Sequence, residues 1–357
     1  MDLKNLFSGT KSLVGLDIGS TSTKLAEIVA TSQGSTLNRF FQVPMPPGVI
    51  VEGILQDPGA LSGVIKELFR HSGCKGKGIV TSLSGNSVII KKVTLAQMEE
   101  TELRELIHDE AGKYLPFDNM DDVNYDFQIL GDNEFNPNQM DVIIVAAKKT
   151  DVNGYLDAFA AAGLTVMIMD VDSFALETMY EANYDFEENE IIVIVNIGAS
   201  LTNINVIKGG MSVFTRDFTM AGNAITEALQ ERFQVTAEEA ERMKVEGTAG
   251  DKEIPDLENV ILDAAEPICS EIERSVDYFR STFGGDEIKQ VLLSGGSSRI
   301  AGLSDLLSQR LNIGTQLVNP LAKIGYNKKN IDEGKLDSIR TIGAVAIGLG
   351  LRKIGDK

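Results

Sequence analysis

Asp17-Ile18-Gly19-Ser20-Thr21-Ser22-Thr23-Lys24 concentrates groups that handle phosphate. Asp17 can organise the waters of a Mg²⁺, an ion that keeps several of them when bound. Gly19 permits a tight turn because φ > 0 costs it nothing. Hydroxyls and backbone N–H groups around such a turn form an anion-binding concavity, and Lys24 can reach a phosphate. Leu13–Leu16 before the stretch and the apolar run from Leu25 after it read as strands, so the unit is strand, turn, strand. Taken alone, an Asp-X-Gly turn can join two strands with no ligand at all.

A second copy raises the significance of the first. Ile191–Ile207 repeats the plan, with Asn196 in the place of Asp17, Gly198 in that of Gly19, Ser200 facing Thr21 and Ile207 facing Ile28. A long-period internal similarity points to two related lobes. Two such loops across a cleft would clamp a nucleotide from both sides. A third turn, Ser294-Gly295-Gly296-Ser297, lies between a strand at Gln290–Leu293 and a helix. Its glycines admit close backbone approach, and a helix N-terminus favours negative charge. The spacing is neither a Walker A loop nor a Rossmann fingerprint. Three glycine turns of this kind point to a nucleoside triphosphate.

These turns need a large α/β frame, and the chain can supply one. Its 357 residues suffice for two domains, and the 43% apolar and 24% charged fractions are those of a soluble globular protein. A net charge of −19 disfavours nucleic acid and direct attraction to anionic lipid. Cys74, Cys269, His71 and His108 have no metal-ligand spacing and fit a reducing cytosol. No secretory leader is visible, and no apolar run reaches the roughly 18 residues of a membrane span. The expected location is the cytoplasm.

Local patterns place the elements. A short helix is expected within Met1–Ser12, and a third strand at Phe40–Val43. Asp57-Pro58 opens a helix that Gly73 stops. Strands are expected at Ile79–Leu83 and Val88–Val93, then a charged helix at Glu99–Tyr114 with Leu103, Leu106 and Ile107 inward. Tyr125–Leu130 and Val142–Ala147 read as paired strands around a polar loop, Gly131–Asn138. With a helix at Val152–Ala162 and a strand at Val166–Met169, residues from about 90 to 170 read as an inserted α+β unit. Asp172 or Ser173 is expected to cap the next helix. Helices follow at Gly222–Phe233, Ala237–Gly247 (with a Thr236/Glu239 capping box) and Leu257–Phe283. Thr315–Val318 reads as a strand, Leu321–Ser338 as loop, and Ile339–Leu349 as a helix of small residues.

The three turns resemble the two phosphate motifs and the adenosine motif of the actin-like ATPases. Asp170-Val171-Asp172 and Thr341–Gly348 resemble the segments connecting their lobes. Within that superfamily the chain resembles the PilM family of type IV pilus assembly proteins. Glu110-Ala111-Gly112-Lys113-Tyr114-Leu115-Pro116-Phe117 carries this likeness, as do Ala146–Lys149, Asp170–Leu176, and Phe214–Asp217 with Gly222–Leu229. It covers nearly the whole chain.

The resemblance implies a bilobal actin-like fold with a five-stranded sheet in each lobe and ATP between them. Residues 1–172 and 339–357 would form the first lobe, with an FtsA-type subdomain inserted at about 90–170, and 173–338 the second. It implies phosphate contacts from Ser20, Thr21, Ser22, Lys24, Gly198, Ala199 and Ser200, with Gly19 shaping the first turn. Asp17 would organise Mg²⁺ through water. Gly295, Gly296 and Ser297 would lie against the adenosine, and Glu241 and Lys244 match a ribose-contacting pair, or else form a surface salt bridge. Asn196 departs from the pattern, which has Asp there, and implies ATP binding with weak or absent hydrolysis. No catalytic base is assigned; Asp170 and Asp172 lie near its expected place. The implied partner is the N-terminal cytoplasmic tail of PilN, bound between the first lobe and the insert, with Val88–Val93 and Tyr114–Phe117 as candidate walls. Links to the pilus motor ATPases, self-association, and peripheral location at the inner membrane through partners also follow from the resemblance. The alternatives are an FtsA-like cell-division or cytoskeletal actin homologue, or an actively cycling ATPase. The polar end at Leu351–Lys357 lacks the amphipathic membrane helix of FtsA-like proteins.

Overall fold

The computed structural model describes residues 13–32, 34–133, 135–248, 256–283 and 287–356; the short helix expected within Met1–Ser12 lies outside them. β1 (Val14–Ile18) and β2 (Ser22–Thr31) form the first hairpin, and β3 (Gly34–Pro44) extends it. A small hairpin of β4 (Ile50–Val51) and β5 (Ile54–Leu55) precedes α1 (Pro58–Ser72). The Asp57 carboxylate caps α1 by accepting from the Ala60 N–H at 2.9 Å. β6 (Gly78–Leu83) follows.

The chain then leaves this sheet. β7 (Ile89–Ala96), α2 (Glu100–Tyr114), β8 (Val123–Asn133) and β9 (Asn136–Lys148) build a separate sheet in the order β7-β9-β8. α2 buries Leu103, Ile107 and Ala111 against Val142, Ile144 and Val93. Four-residue steps set that stripe, so Leu106 falls outside it and is exposed, contrary to expectation. The polar stretch Gly131–Asn138 is mostly strand rather than loop. The Asn133 side chain accepts from the N–H groups of Phe135 and Asn136 and so tightens the turn.

The insert also ends earlier than about 170. α3 (Lys149–Ala161) buries Tyr155, Ala158 and Phe159 with Leu61, Ile65 and Leu68 of α1, and β10 (Thr165–Val171) pairs with β6. Both serve the first lobe. The separate sheet stops at Lys148.

α4 (Asp172–Asn183) leads to β11 (Ile191–Ile197), β12 (Thr202–Lys208) and β13 (Met211–Phe218). Next come α5 (Gly222–Phe233), α6 (Ala237–Glu246), α7 (Leu257–Phe283), β14 (Ile288–Ser294), α8 (Leu303–Leu311) and β15 (Thr315–Leu317). The Thr236/Glu239 capping box is formed. β16 (Gly325–Tyr326) lies within the stretch expected to be loop and pairs with β3. The chain therefore rejoins the first sheet well before residue 339 and makes that sheet six-stranded rather than five-stranded. The final small-residue helix is two, α9 (Leu336–Ile342) and α10 (Ala344–Leu351), divided at Gly343.

The two main sheets share one plan. The orders β10-β6-β1-β2-β3 and β15-β14-β11-β12-β13 correspond strand for strand. In each, the first hairpin is antiparallel and the two later strands are parallel. α4 and α10 fill the space between the sheets, with Ala175, Leu176, Met179, Val345 and Leu349 packed against Val80, Ile192, Ile194 and Leu292. They cross so closely that a Cβ on Gly348 would stand 1.8 Å from the Ala175 carbonyl oxygen. This close crossing holds together the two sheets that carry the glycine turns.

Candidate functional site

The site begins with strand register. Asp17 and Lys24 are direct partners across β1 and β2, so their side chains share a face, and Lys24 Nζ donates to Asp17 Oδ2 at 3.0 Å. The corresponding pair in the second lobe is Asn196 and Asn203. Both turns close alike: Gly19 N–H donates to the Ser22 carbonyl at 3.1 Å, and Gly198 N–H to the Leu201 carbonyl at 2.9 Å. The tips touch, with Ser200 Oγ donating to Ser20 Oγ at 2.7 Å. Thr21 is exposed at the tip, whereas Ser22 is buried.

The adenosine-type turn packs beside the second hairpin. Gly295 has φ +88°, and a Cβ there would lie 2.3 Å from the Ile197 carbonyl oxygen and 2.8 Å from Asn196 Oδ1. Both constraints require glycine. Beside Gly296 the space is open. Ser297 Oγ donates to the Gly198 carbonyl at 3.0 Å, and Gly222 N–H donates to the same oxygen at 3.1 Å. Asn223 N–H donates to the Ala199 carbonyl at 2.7 Å. The start of α5 is thus tied to the second turn.

Lys244 is not part of a surface salt bridge. It is buried, and Nζ donates to Gly222 O at 3.1 Å, Thr226 Oγ1 at 2.9 Å and Glu241 Oε2 at 2.6 Å. Those contacts use all three donors of an ammonium. Glu241 stays half exposed and faces outward from this anchor.

Asp170 and Asp172 have separate surroundings. Val171, not Asp172 or Ser173, is the N-cap of α4, and no side chain caps it. Asp172 is the first helical residue and accepts from Ser82 Oγ at 2.5 Å. Burial pushes its carboxyl up to about 7, and the neighbouring Asp17 charge adds to the shift. Asp170 Oδ2 instead accepts from Arg352 Nε at 2.7 Å.

Two polar residues escaped the sequence reading. Asn203 and Asn205 are buried in β12, where Asn203 Nδ2 donates to Ser173 Oγ at 2.9 Å and Asn205 Nδ2 to Ser173 O at 2.7 Å. Their signal was available: two asparagines alternating with isoleucine and valine in a strand.

A second opening, of about 260 Å³, separates the insert from the first lobe. Phe127, Ile143, Val145, Ile168, Met169 and Phe174 line it, with Asp170 and Arg352 at one end. Val88–Val93 and Tyr114–Phe117 do not wall this groove. Val93 and Leu115 belong to the insert's own core, with Tyr114 and Phe117 packed against it. Among the described residues, no group of three or more His, Cys, Asp or Glu could hold a metal ion, and no helix is long and apolar enough to cross a membrane.

A family model described as type IV pilus assembly protein PilM matches residues 15–354. The chain belongs to the PilM family. It is similar to a chain of a solved PilM–PilN type IV pilus biogenesis complex, at 29% identity and TM-score 0.85, over 97% of this chain and 99% of that one. It also matches the ethanolamine utilization protein EutJ from Carboxydothermus hydrogenoformans, at 15% identity and TM-score 0.56, over 95% and 89% of the two chains. MreB 5 of Spiroplasma citri bound to AMPPNP matches at 12% identity and TM-score 0.52, over 95% of each chain. The last two likenesses concern the fold, which is the bilobal actin-like one. The Ser20–Ser200 junction is therefore where the two lobes of a PilM-family protein meet.

Proposed function

We propose that this chain is an ATP-binding scaffold of type IV pilus assembly that grips the N-terminal cytoplasmic tail of PilN. The observation that carries the nucleotide half is the contact of two hairpins of one design at Ser20 and Ser200. The residues present suit a Mg²⁺-nucleotide. Asp17 and Asn196 would face the metal's waters. Ser20, Thr21, Ser22, Lys24, Gly198, Ala199 and Ser200 would receive the phosphates, and the open side of Gly296, with Gly295 and Ser297, the adenosine. Glu241 would accept from the ribose, and Lys244, its donors already used, would hold Glu241 in place.

Asn196 sets the chemistry. A neutral amide can hydrogen-bond a metal-bound water but supplies no negative charge to activate it. The nucleotide then acts as a clamp between the lobes rather than as fuel.

The groove between insert and first lobe suits an extended peptide. β10 is an edge strand of its sheet, so its outer backbone groups can pair with an added strand, while the apolar lining receives alternate side chains. The PilM–PilN complex among the relatives supports PilN as the occupant. Attachment at the inner membrane would follow from PilN, and contacts with motor ATPases or a second copy would build on that assembly.

The test is to load the purified chain with labelled ATP and Mg²⁺, remove the excess, and follow the bound nucleotide for hours. Intact, retained ATP is the expected result. Turnover within minutes would make the protein a cycling ATPase, and no retention would overturn the nucleotide half.

A further inference from the structure

The insert lies between two openings. On one side is the peptide groove. On the other, a cavity of about 520 Å³ separates it from the second lobe, lined by Lys92, Thr94 and Leu130 across from Met211, Val213 and Phe283. Lys92 Nζ sits 5.3 Å from the centre of the Phe283 ring and bridges part of that gap. The insert's sheet thus borders an opening on each side.

Its root is tied to the second lobe. The turn Gly85–Ser87, directly before β7, donates the Gly85 N–H to Asp217 Oδ2 of β13 at 2.7 Å. Asp217 Oδ1 also accepts from Asn203 Nδ2. Asn203 stands opposite Asn196 in the second phosphate hairpin and bonds Ser173 at the start of α4. Gly85 further packs on that hairpin: a Cβ there would lie 2.7 Å from the Leu201 side chain, and Leu201 closes the Gly198 turn. One donor on Asp217 thus belongs to the turn before the insert, which Asn86 also ties to Glu52 of the first lobe, and the other to the second phosphate hairpin.

We propose that Asp217 is the joint through which occupancy of the phosphate hairpins sets the position of the insert, and with it the affinity of the peptide groove. The proposal rests on the nucleotide and PilN readings above. A hairpin that tightens on a ligand draws Asn203 and Leu201 with it, and Asp217 passes the shift to Gly85. By linkage, peptide must change nucleotide affinity by the same factor that nucleotide changes peptide affinity.

The experiment uses the full chain, AMPPNP with Mg²⁺, and a synthetic PilN N-terminal peptide. Hydrogen exchange of residues 84–92 is measured with and without AMPPNP, and peptide affinity is titrated under both conditions. In the parent chain, AMPPNP should slow exchange of this segment at least threefold and shift peptide affinity at least fivefold. Asp217→Ala should bind AMPPNP within about twofold of the parent and lose both effects. Should that variant fail to fold, Asp217→Asn, which keeps an acceptor for Gly85 but removes the charge, should reduce both effects at least twofold. Unchanged exchange on AMPPNP binding, or full coupling in the folded variants, overturns the proposal. Loss of peptide binding throughout would remove the PilN reading alone, because the exchange measurement still decides the joint. Loss of AMPPNP binding would remove both.

Discussion

Ser20 and Ser200 stand 180 positions apart and share a 2.7 Å hydrogen bond. Each occupies the turn of the first hairpin of its lobe, and the two hairpins close with matching Gly19–Ser22 and Gly198–Leu201 bonds. Duplicated topology alone would leave two unrelated turns. The crossing of α4 over α10 holds the sheets that carry them together, the arrangement on which the proposed two-sided phosphate clamp rests.

The clamp should be improvable as a catalyst. Asn196→Asp puts a carboxylate at the position that corresponds to Asp17 and should raise ATP turnover at least about tenfold, short of the roughly 10²–10⁴-fold typical of a placed acid–base group. Turnover can be followed by phosphate release from saturated protein. An unchanged rate would show that the amide is not what limits hydrolysis.

Gly295→Ala should damage the site locally. The new Cβ would collide with the Ile197 carbonyl, and the residue would keep a left-handed backbone, at a cost of about 1–3 kcal/mol. AMPPNP binding should weaken at least tenfold with a modest drop in Tm. Parent-like binding would remove this turn from the site. Gly348→Val, by contrast, should lower Tm strongly, since it forces α4 and α10 apart.

Most of this was legible in the chain. Asp57, Gly73 and the Thr236/Glu239 pair marked helix ends because caps are local chemistry. The internal repeat exposed the paired lobes; that Asp17 and Lys24 share a face came only from the strand register of the structure. The insert's far boundary was hidden, because the helix and strand after Lys148 have no local mark that they pack on α1 and β6. β16 was hidden for a related reason: two residues pair with β3 through backbone bonds that no side-chain pattern announces. The burial of Lys244 was equally invisible, since an i,i+3 Glu–Lys pair reads the same on a surface as at a junction.

Stability should fall as pH rises through the acidic range. Burial raises Asp172 to about 7, and Glu177 likewise to about 7. From about pH 4 to 7 the folded chain keeps these protons while the unfolded chain has released them. Their contribution is therefore full below about pH 4 and lost as pH climbs to about 7, at up to about 1.4 kcal/mol per group per pH unit, less the screening of their partial exposure. Asp172→Asn should remove about half of this slope in denaturant titrations at pH 5, 6 and 7. An unaltered slope would mean that Asp172 is ionised throughout.

Arg352→Met leaves Asp170 enclosed without its cation and should cost about 3 kcal/mol. Asp170→Asn combined with Arg352→Met should recover most of that loss. Urea midpoints of the single and double variants check it, and an additive loss would contradict the pairing.

The most direct test of the scaffold account is a titration of PilN N-terminal peptide into the ATP-loaded chain, read by calorimetry. One-to-one binding is expected, and Phe174→Arg, which puts a charge on the groove lining, should weaken it at least tenfold while bound ATP is retained. No binding to the parent chain, or equal binding to the variant, would contradict it.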